Sequence, residues 1–246
     1  MPGATLAVIG GTAMNRWPGF EPGTAHAVET AWGAPSAPLV EGRFAGTPAV
    51  FLARHGIGHH LPPHRINFRA NMQALADIGV QRVIAIAAVG SMLEGFPPGA
   101  IALPEDCIDY TSGRAQTISD GDGADLLHID FTAPFDPLRE RILASAPDDG
   151  LHAGGVLGVT QGPRLETAAE VRRLVRDGCG MVGMTTMPEA ALARELGMEY
   201  AVVAVCVNWA AGMGSGDIHA EIEASAARGM ARVGNLLSAV LPRLSR

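Results

Sequence analysis

Apolar residues arrive along this chain in two rhythms. Short continuous runs at Leu6–Ile9, Ala49–Ala53, Val83–Val89, Ala100–Leu103, Val156–Thr160 and Tyr200–Val207 end in glycine, proline or polar residues and predict β-strands. Between them, Asn67–Ile78, Pro137–Ala146, Glu166–Arg176, Pro188–Leu196 and Ile218–Leu241 repeat apolar positions at helical spacing. The last sets Ile222, Met230, Val233, Leu237 and Val240 against a polar opposite side. Several strands are apolar throughout rather than at alternate positions, which requires cover on both faces. The pattern therefore predicts a layered α/β fold, one domain over residues 1–246, with no internal repeat or low-complexity linker. The polar, Gly- and Asp-rich stretch from Ser112 to Pro137 reads as a loop within it.

Composition narrows the partners more than the fold. The 246 residues carry 18 Lys and Arg against 25 Asp and Glu, a net charge of −7, which argues against nucleic acid or an anionic membrane as the main partner. Abundant glycine and proline, 31 and 17, accompany 48% hydrophobic residues, so they signal special turns in a folded chain rather than disorder. Cys107, Cys179 and Cys206 are odd in number and lack CxxC spacing, which disfavours a disulfide framework or zinc ribbon and suits a reducing compartment. The first apolar run ends at Gly10 without a preceding basic region, and no apolar stretch approaches the ~20 residues of a membrane span. A soluble, cytoplasmic protein is the expectation.

Candidate chemistry gathers where strands end. Ile9-Gly10-Gly11-Thr12 runs from a strand into a glycine turn whose N–H groups could converge on an anion; a tight strand-end turn explains it equally well. Neither a GxGxxG nor a GxxxxGK[ST] pattern is present. Arg54-His55-Gly56 closes the next apolar strand and offers a guanidinium suited to phosphate. His59, His60 and His64 follow closely, but the glycines and prolines among them prevent a helical pair of metal ligands, so ordinary loop imidazoles are preferred and no metal is expected. Ala88-Val89-Gly90-Ser91 places small residues at the end of a buried strand, for packing or for close approach of a ligand. Glu166 sits near a helix start, where it can complement the helix dipole or accept a hydrogen bond from a ligand N–H. Thr185-Thr186 before Pro188 can cap a helix or hold phosphate. Asn208 interrupts the end of an apolar run and must find a partner in the fold or a ligand.

Taken in order, Ile9-Gly10-Gly11-Thr12, Arg54-His55-Gly56, Asn67–Asn71, Ala88-Val89-Gly90-Ser91, Gly162-Pro163-Arg164-Leu165-Glu166-Thr167, Val182-Gly183-Met184-Thr185, Pro188-Glu189 and Asn208 resemble the trimeric purine nucleoside phosphorylase and methylthioadenosine phosphorylase family. The resemblance covers nearly the whole chain and is nearest to the bacterial methylthioinosine phosphorylases, on the family's 6-oxopurine side. It implies a single α/β domain around a distorted mixed sheet, a homotrimer, and phosphorolysis in purine salvage with inorganic phosphate as co-substrate and no cofactor. It implies further that Thr12, Arg54, His55, the Ala88 backbone N–H and Thr185 hold phosphate, and that Met184 lies against the sugar. Asn208, Trp209 and Ala210 would form the purine wall, and His128 would reach the 5′ pocket of a neighbouring subunit.

Base preference is readable in chemical terms within that resemblance. Adenine-specific relatives look to carry two aspartates near the segment that is Asn208-Trp209-Ala210 here. An asparagine amide can donate to a purine O6, and Glu166 can accept from the N1–H that only the 6-oxo form carries. S-methyl-5′-thioinosine, inosine and guanosine are the implied substrates. His219, at the start of the last helix, matches a histidine presented to a 5′-hydroxyl and so favours inosine and guanosine, whereas the overall pattern favours methylthioinosine. Ala87 replaces a residue that is polar in much of the family. The alternatives are a methylthioadenosine phosphorylase, a nucleoside hydrolase, which would carry an aspartate-rich metal site, and a non-catalytic binding protein, which would lose Arg54 or Thr185.

Overall fold

The computed structural model describes residues 5–11, 19–121, 126–147, 150–214 and 218–244, with 218–221 as backbone only. Among the described residues, eleven strands and five α-helices follow one another as β1 (Leu6–Gly10), β2 (Phe20–His26), β3 (Leu39–Phe44), β4 (Thr47–Ala53), α1 (Phe68–Asp77), β5 (Arg82–Ser91), β6 (Ile101–Leu103), β7 (Asp106–Asp109), α2 (Leu138–Ser145), β8 (His152–Ala153), β9 (Val156–Val159), α3 (Ala168–Arg176), β10 (Cys179–Gly183), α4 (Thr186–Glu195), β11 (Glu199–Trp209) and α5 (Ile218–Leu244). Every strand and helix expected from the hydrophobic pattern is present. Five further strands, β2, β3, β7, β8 and β10, are present as well.

All eleven strands join one mixed sheet, ordered β2-β3-β4-β1-β5-β10-β9-β7, with β11 branching from β5 to β6 and β8. Strands β4, β1, β5 and β11 run parallel, while β10 meets β5 antiparallel. The central strands sort their side chains by alternation. Ala7, Ile9, Val83, Ala85, Val202 and Ala204 pack with Phe68, Met72 and Leu75 of α1 and Ala190, Leu192 and Ala193 of α4. Leu6, Val8, Ile84, Ile86, Ala201 and Val203 pack on the other face with Leu138 and Ile142 of α2 and Val233, Leu237 and Leu241 of α5. Cover on both faces is why these strands read as unbroken apolar runs. Each such large side chain contributes about 1.5–3 kcal/mol by leaving water.

The branch at β5 creates the opening that matters. Its pairing with β1 ends at Ile9↔Ala85, and its pairing with β10 begins only at Val182↔Gly90. Along that edge, Ile86 to Val89 lie between the two neighbours. Ala88 is the one exposed residue in an otherwise covered stretch of the strand. On the opposite edge, the β5–β11 register shifts between Cys206 and Asn208, so that Asn208 comes to stand opposite Gly90. Irregularities of this kind re-aim side chains at the mouths of sheets.

Candidate functional site

A cleft of about 590 Å³ opens at this gap, beyond the carboxyl ends of the parallel strands β4, β1 and β5. Its wall includes Gly11 after β1, Arg54 and His55 after β4, Ala88 to Gly90 of β5, Glu166 before α3, Met184 and Thr185 before α4, and Asn208 and Ala210 at the end of β11. Six chain segments remote in sequence thus meet at the end of one sheet, the location where open α/β sheets bind ligands.

The Arg54 end of the cleft is anchored in the core. Arg54 is 1% exposed and donates from Nε to Glu189 Oε1 at 2.5 Å, from Nη2 to Glu189 Oε2 at 2.9 Å and from Nη1 to the Ile86 carbonyl at 2.9 Å. That carbonyl belongs to the unpaired edge of β5, so the guanidinium completes a backbone group the sheet leaves over. Glu189 is fully buried and also accepts from Tyr200 Oη at 2.9 Å. Burial alone would lower the Arg54 pKa, but the Glu189 carboxylate outweighs it and the net direction is upward. Burial, with Glu189 beside it, holds Tyr200 firmly protonated as a donor. An arginine has five N–H groups; three serve these bonds, leaving two. Removing one member of a buried ion pair costs about 3–5 kcal/mol, so the arrangement fixes Arg54 in place.

His55 is held by a 2.7 Å hydrogen bond between Nδ1 and the Leu61 carbonyl. Because a carbonyl only accepts, Nδ1 carries the proton there and the neutral ring presents Nε2 as an acceptor. Burial, followed by the charge of Arg54, lowers its pKa to about 4. A Cβ placed on Gly11 would lie 3.3 Å from Arg54 Nη1 and 3.6 Å from His55 Nε2, so the glycine keeps this corner clear. Thr185 precedes α4 as its N-cap residue but makes no side-chain capping bond, which leaves its hydroxyl uncommitted to the helix.

The Glu166 end is built from hydrogen bonds at the surface of the core. Helix α3 starts at Ala168, later than the pattern suggested, and its first turn is closed by a Thr167–Glu170 capping box. The dipole-complementing role open to Glu166 is therefore filled by Glu170. Glu166 instead turns into the cleft, where Oε1 accepts from Thr160 Oγ1 at 2.5 Å. Asn208 is 6% exposed and donates from Nδ2 to the Trp209 carbonyl at 2.6 Å. A Cβ on Gly90 would stand 3.3 Å from both Asn208 Nδ2 and the Ala210 Cα, so only glycine leaves this approach unhindered.

Of the residues expected at the site, Arg54, His55, Ala88, Glu166, Met184, Thr185, Asn208 and Ala210 line the one cleft. Trp209 does not; it packs against Gly214 while its neighbours on either side face the cavity, as strand alternation dictates. His128 is exposed and away from the cleft in this single chain. Thr12 and the His219 side chain lie outside the described residues. His59 and His60 line the rim, with the His55 and His59 rings 4.3 Å apart, and among the described residues no group of three His, Cys, Asp or Glu could hold a metal ion. The sequence reading used Glu189 only as part of the resemblance, and Tyr200 and Thr160 only as ends of strands, and gave none of them a role at the site. A lone carboxylate within the apolar run Met187-Pro188-Glu189-Ala190-Ala191-Leu192-Ala193 is the signal that would have marked Glu189.

Comparison with known proteins gives the family. A family model described as the phosphorylase superfamily matches residues 5–242. A protein named probable S-methyl-5′-thioinosine phosphorylase from Xanthomonas campestris is 50% identical over 212 residues, covering 85% of each chain. A 6-oxopurine nucleoside phosphorylase from Pyrococcus furiosus is 41% identical over 226 residues, 88% of this chain and 84% of its own. Among solved structures, the methylthioadenosine phosphorylase of Schistosoma mansoni in complex with adenine superposes with a TM-score of 0.88 at 28% identity, covering 98% of this chain and 92% of that one. With its strand-end cleft, its buried arginine and a match over almost its entire length, this chain belongs to the phosphorylase superfamily.

Proposed function

We propose that the protein cleaves 6-oxopurine nucleosides with inorganic phosphate, with S-methyl-5′-thioinosine as the leading substrate and inosine and guanosine as others, releasing the base and a sugar 1-phosphate. The observation that carries this reading is the pairing of an acceptor and a donor, Glu166 and Asn208, in the same cleft as Arg54, His55 and Thr185. Glu166 Oε2 accepts the purine N1–H while Thr160 occupies Oε1. The second amide N–H of Asn208 donates to O6. A 6-aminopurine has neither the N1–H nor the O6 and would leave both groups unmatched.

At the other end, the two remaining Arg54 N–H groups, the Thr185 hydroxyl and the Ala88 N–H take up phosphate oxygens, together with Thr12. Ala88 lies two residues beyond Ile86, whose carbonyl points to Arg54, so the strand period turns the Ala88 backbone to the same side. His55 Nε2 accepts the remaining O–H of the phosphate dianion. A phosphate oxygen then attacks the anomeric carbon as its bond to purine N9 breaks. The bonding electrons pass to the purine, which takes up a proton from solvent and leaves as the neutral base, while the sugar 1-phosphate releases its remaining O–H proton. Phosphate beneath the ring stabilises the cationic sugar, and the hydrogen bonds of Asn208 and Glu166 stabilise the departing base. Met184 lines the sugar, with Trp209 backing the purine wall.

The same reading takes residues 1–246 as one working unit in a cytoplasmic homotrimer, in which His219 and a neighbour's His128 frame the 5′ end. Phosphate is a co-substrate, no further cofactor enters, and neither nucleic acid nor membrane is a partner. Among the described residues no helix is long and apolar enough to cross a membrane. The test is to incubate the protein with S-methyl-5′-thioinosine or inosine, with and without phosphate, and follow hypoxanthine. Release without phosphate would overturn phosphorolysis, and faster adenine release from methylthioadenosine would overturn the base preference.

A further inference from the structure

Arg114 stands in the polar segment after β7, far in sequence from either end of the cleft. Its Nε donates to Gln161 Oε1 at 3.2 Å. One terminal nitrogen donates to the Met184 carbonyl at 2.8 Å and the Met187 carbonyl at 2.6 Å. The other donates to the carbonyls of Thr160 at 3.3 Å and Gln161 at 2.9 Å. All five N–H groups of the guanidinium are thereby committed. Its plane lies over the Phe68 ring, with the guanidinium carbon 5.3 Å from the ring centre. Burial draws the Arg114 pKa down, and Asp109 and Glu189 oppose it.

The acceptors belong to two loops with different duties. Met184 and Met187 bracket Thr185, in the wall assigned to phosphate. Thr160 holds the Glu166 carboxylate, assigned to the purine, and Gln161 follows Thr160 in the segment that leads to Glu166. Four of the five accepting oxygens are backbone carbonyls: those of Thr160, Gln161 and Met184 lie just past the ends of β9 and β10, where the sheet ladder no longer supplies donors, and that of Met187 lies at the non-helical residue in the first turn of α4. A planar fork with five donors can satisfy both loops at once, which the three donors of a lysine ammonium cannot. We propose that Arg114 is a positioning residue that fixes the distance between the phosphate loop and the purine loop, so that the two substrates bind interdependently through it. This rests on the function proposed above and adds a residue that touches neither substrate.

The experiment compares wild type with Arg114→Lys, Arg114→Ala and Gln161→Ala, below the melting temperature of each. Readouts are KM for phosphate, KM for S-methyl-5′-thioinosine, kcat, and calorimetric binding of hypoxanthine with and without phosphate. In R114K both KM values rise together by about tenfold with kcat changed less, and phosphate ceases to tighten hypoxanthine binding. Guanidinium ion restores part of the R114A activity. Q161A, which removes a single acceptor, raises both KM values about twofold and keeps the test open should the Arg114 variants not fold. A lower melting temperature with both KM values intact overturns the proposal, as does a rise in only one of them. A wild-type protein that releases no hypoxanthine overturns the underlying function at the first step, before any variant is compared.

Discussion

At one end of the cleft Arg54, Glu189 and Tyr200 are 1%, 0% and 3% exposed and bonded to one another beneath the sheet's open edge. At the other end Glu166 is half-buried and held by a single hydroxyl, while Asn208 caps a strand and bonds its neighbour's carbonyl. The first arrangement shares its groups with the core, so changing them changes stability and, under the proposed function, phosphate binding together. The second borrows rigidity from the core without being part of it, so its chemistry can be exchanged at little structural cost. Under the proposed function, the step common to all substrates would sit in the core and the one that distinguishes them at its margin.

The hardest blow to that contrast is Glu189→Ala. It leaves the Arg54 guanidinium buried without its carboxylate and should cost about 3–5 kcal/mol in urea unfolding, with a rise in phosphate KM. A variant that loses less than about 1 kcal/mol would mean the core does not depend on the pair. Asn208→Asp should lose about 10- to 100-fold in kcat/KM for 6-oxopurine nucleosides and gain turnover of 6-aminopurine ones, with a smaller loss of stability than Glu189→Ala, about 1–3 kcal/mol, because a carboxylate cannot donate to the Trp209 carbonyl. Unaltered base preference would remove Asn208 from base recognition, and a collapse in stability would erase the difference between the two ends. Thr160→Val should raise nucleoside KM by about tenfold, roughly one charge-assisted hydrogen bond, while leaving phosphate KM unmoved. Equal movement of both constants would show the ends to be mechanically inseparable at that position.

Acid acts on one residue of the Arg54 end. His55 has a folded-state pKa of about 4, below the ordinary value of 6.5. Its neutral form is therefore favoured by folding, and its contribution is complete above pH 6.5 and lost as pH falls through about 4. Urea unfolding across that window should show a slope that His55→Gln reduces. An identical slope in the variant would assign the acid sensitivity elsewhere.

Much of this was legible before any coordinates. The six strands of the centre and all five helices announced themselves because their burial demands apolar residues at fixed spacing. The strands that escaped notice had physical reasons to do so. Phe20–His26 is an edge strand exposed along most of its length and contains proline and glycine. Asp106–Asp109 is the opposite edge, with charges at both ends, and His152–Ala153 is too short to show a period. Cys179–Gly183 is buried throughout but carries two glycines, which reads as turn. At the site, Arg54, His55, Glu166, Thr185 and Asn208 were visible as polar interruptions at the ends of apolar runs. Arg114 was not, because a loop arginine that follows Ser112-Gly113 and precedes Ala115-Gln116 looks like any solvated cation.

The sequence by itself determined which residues are inside and which segments are strand or helix, since both follow from local periodicity and the cost of burying polar groups. It also carried the residues that could meet an anion and a purine. Only the tertiary structure decided that β5 parts from β1 before it meets β10, that Glu189 reaches across 135 positions to neutralise Arg54, and that Arg114 ties two walls together. Those are relations between distant segments, and their energy lies in burial and hydrogen-bond geometry that no local pattern encodes.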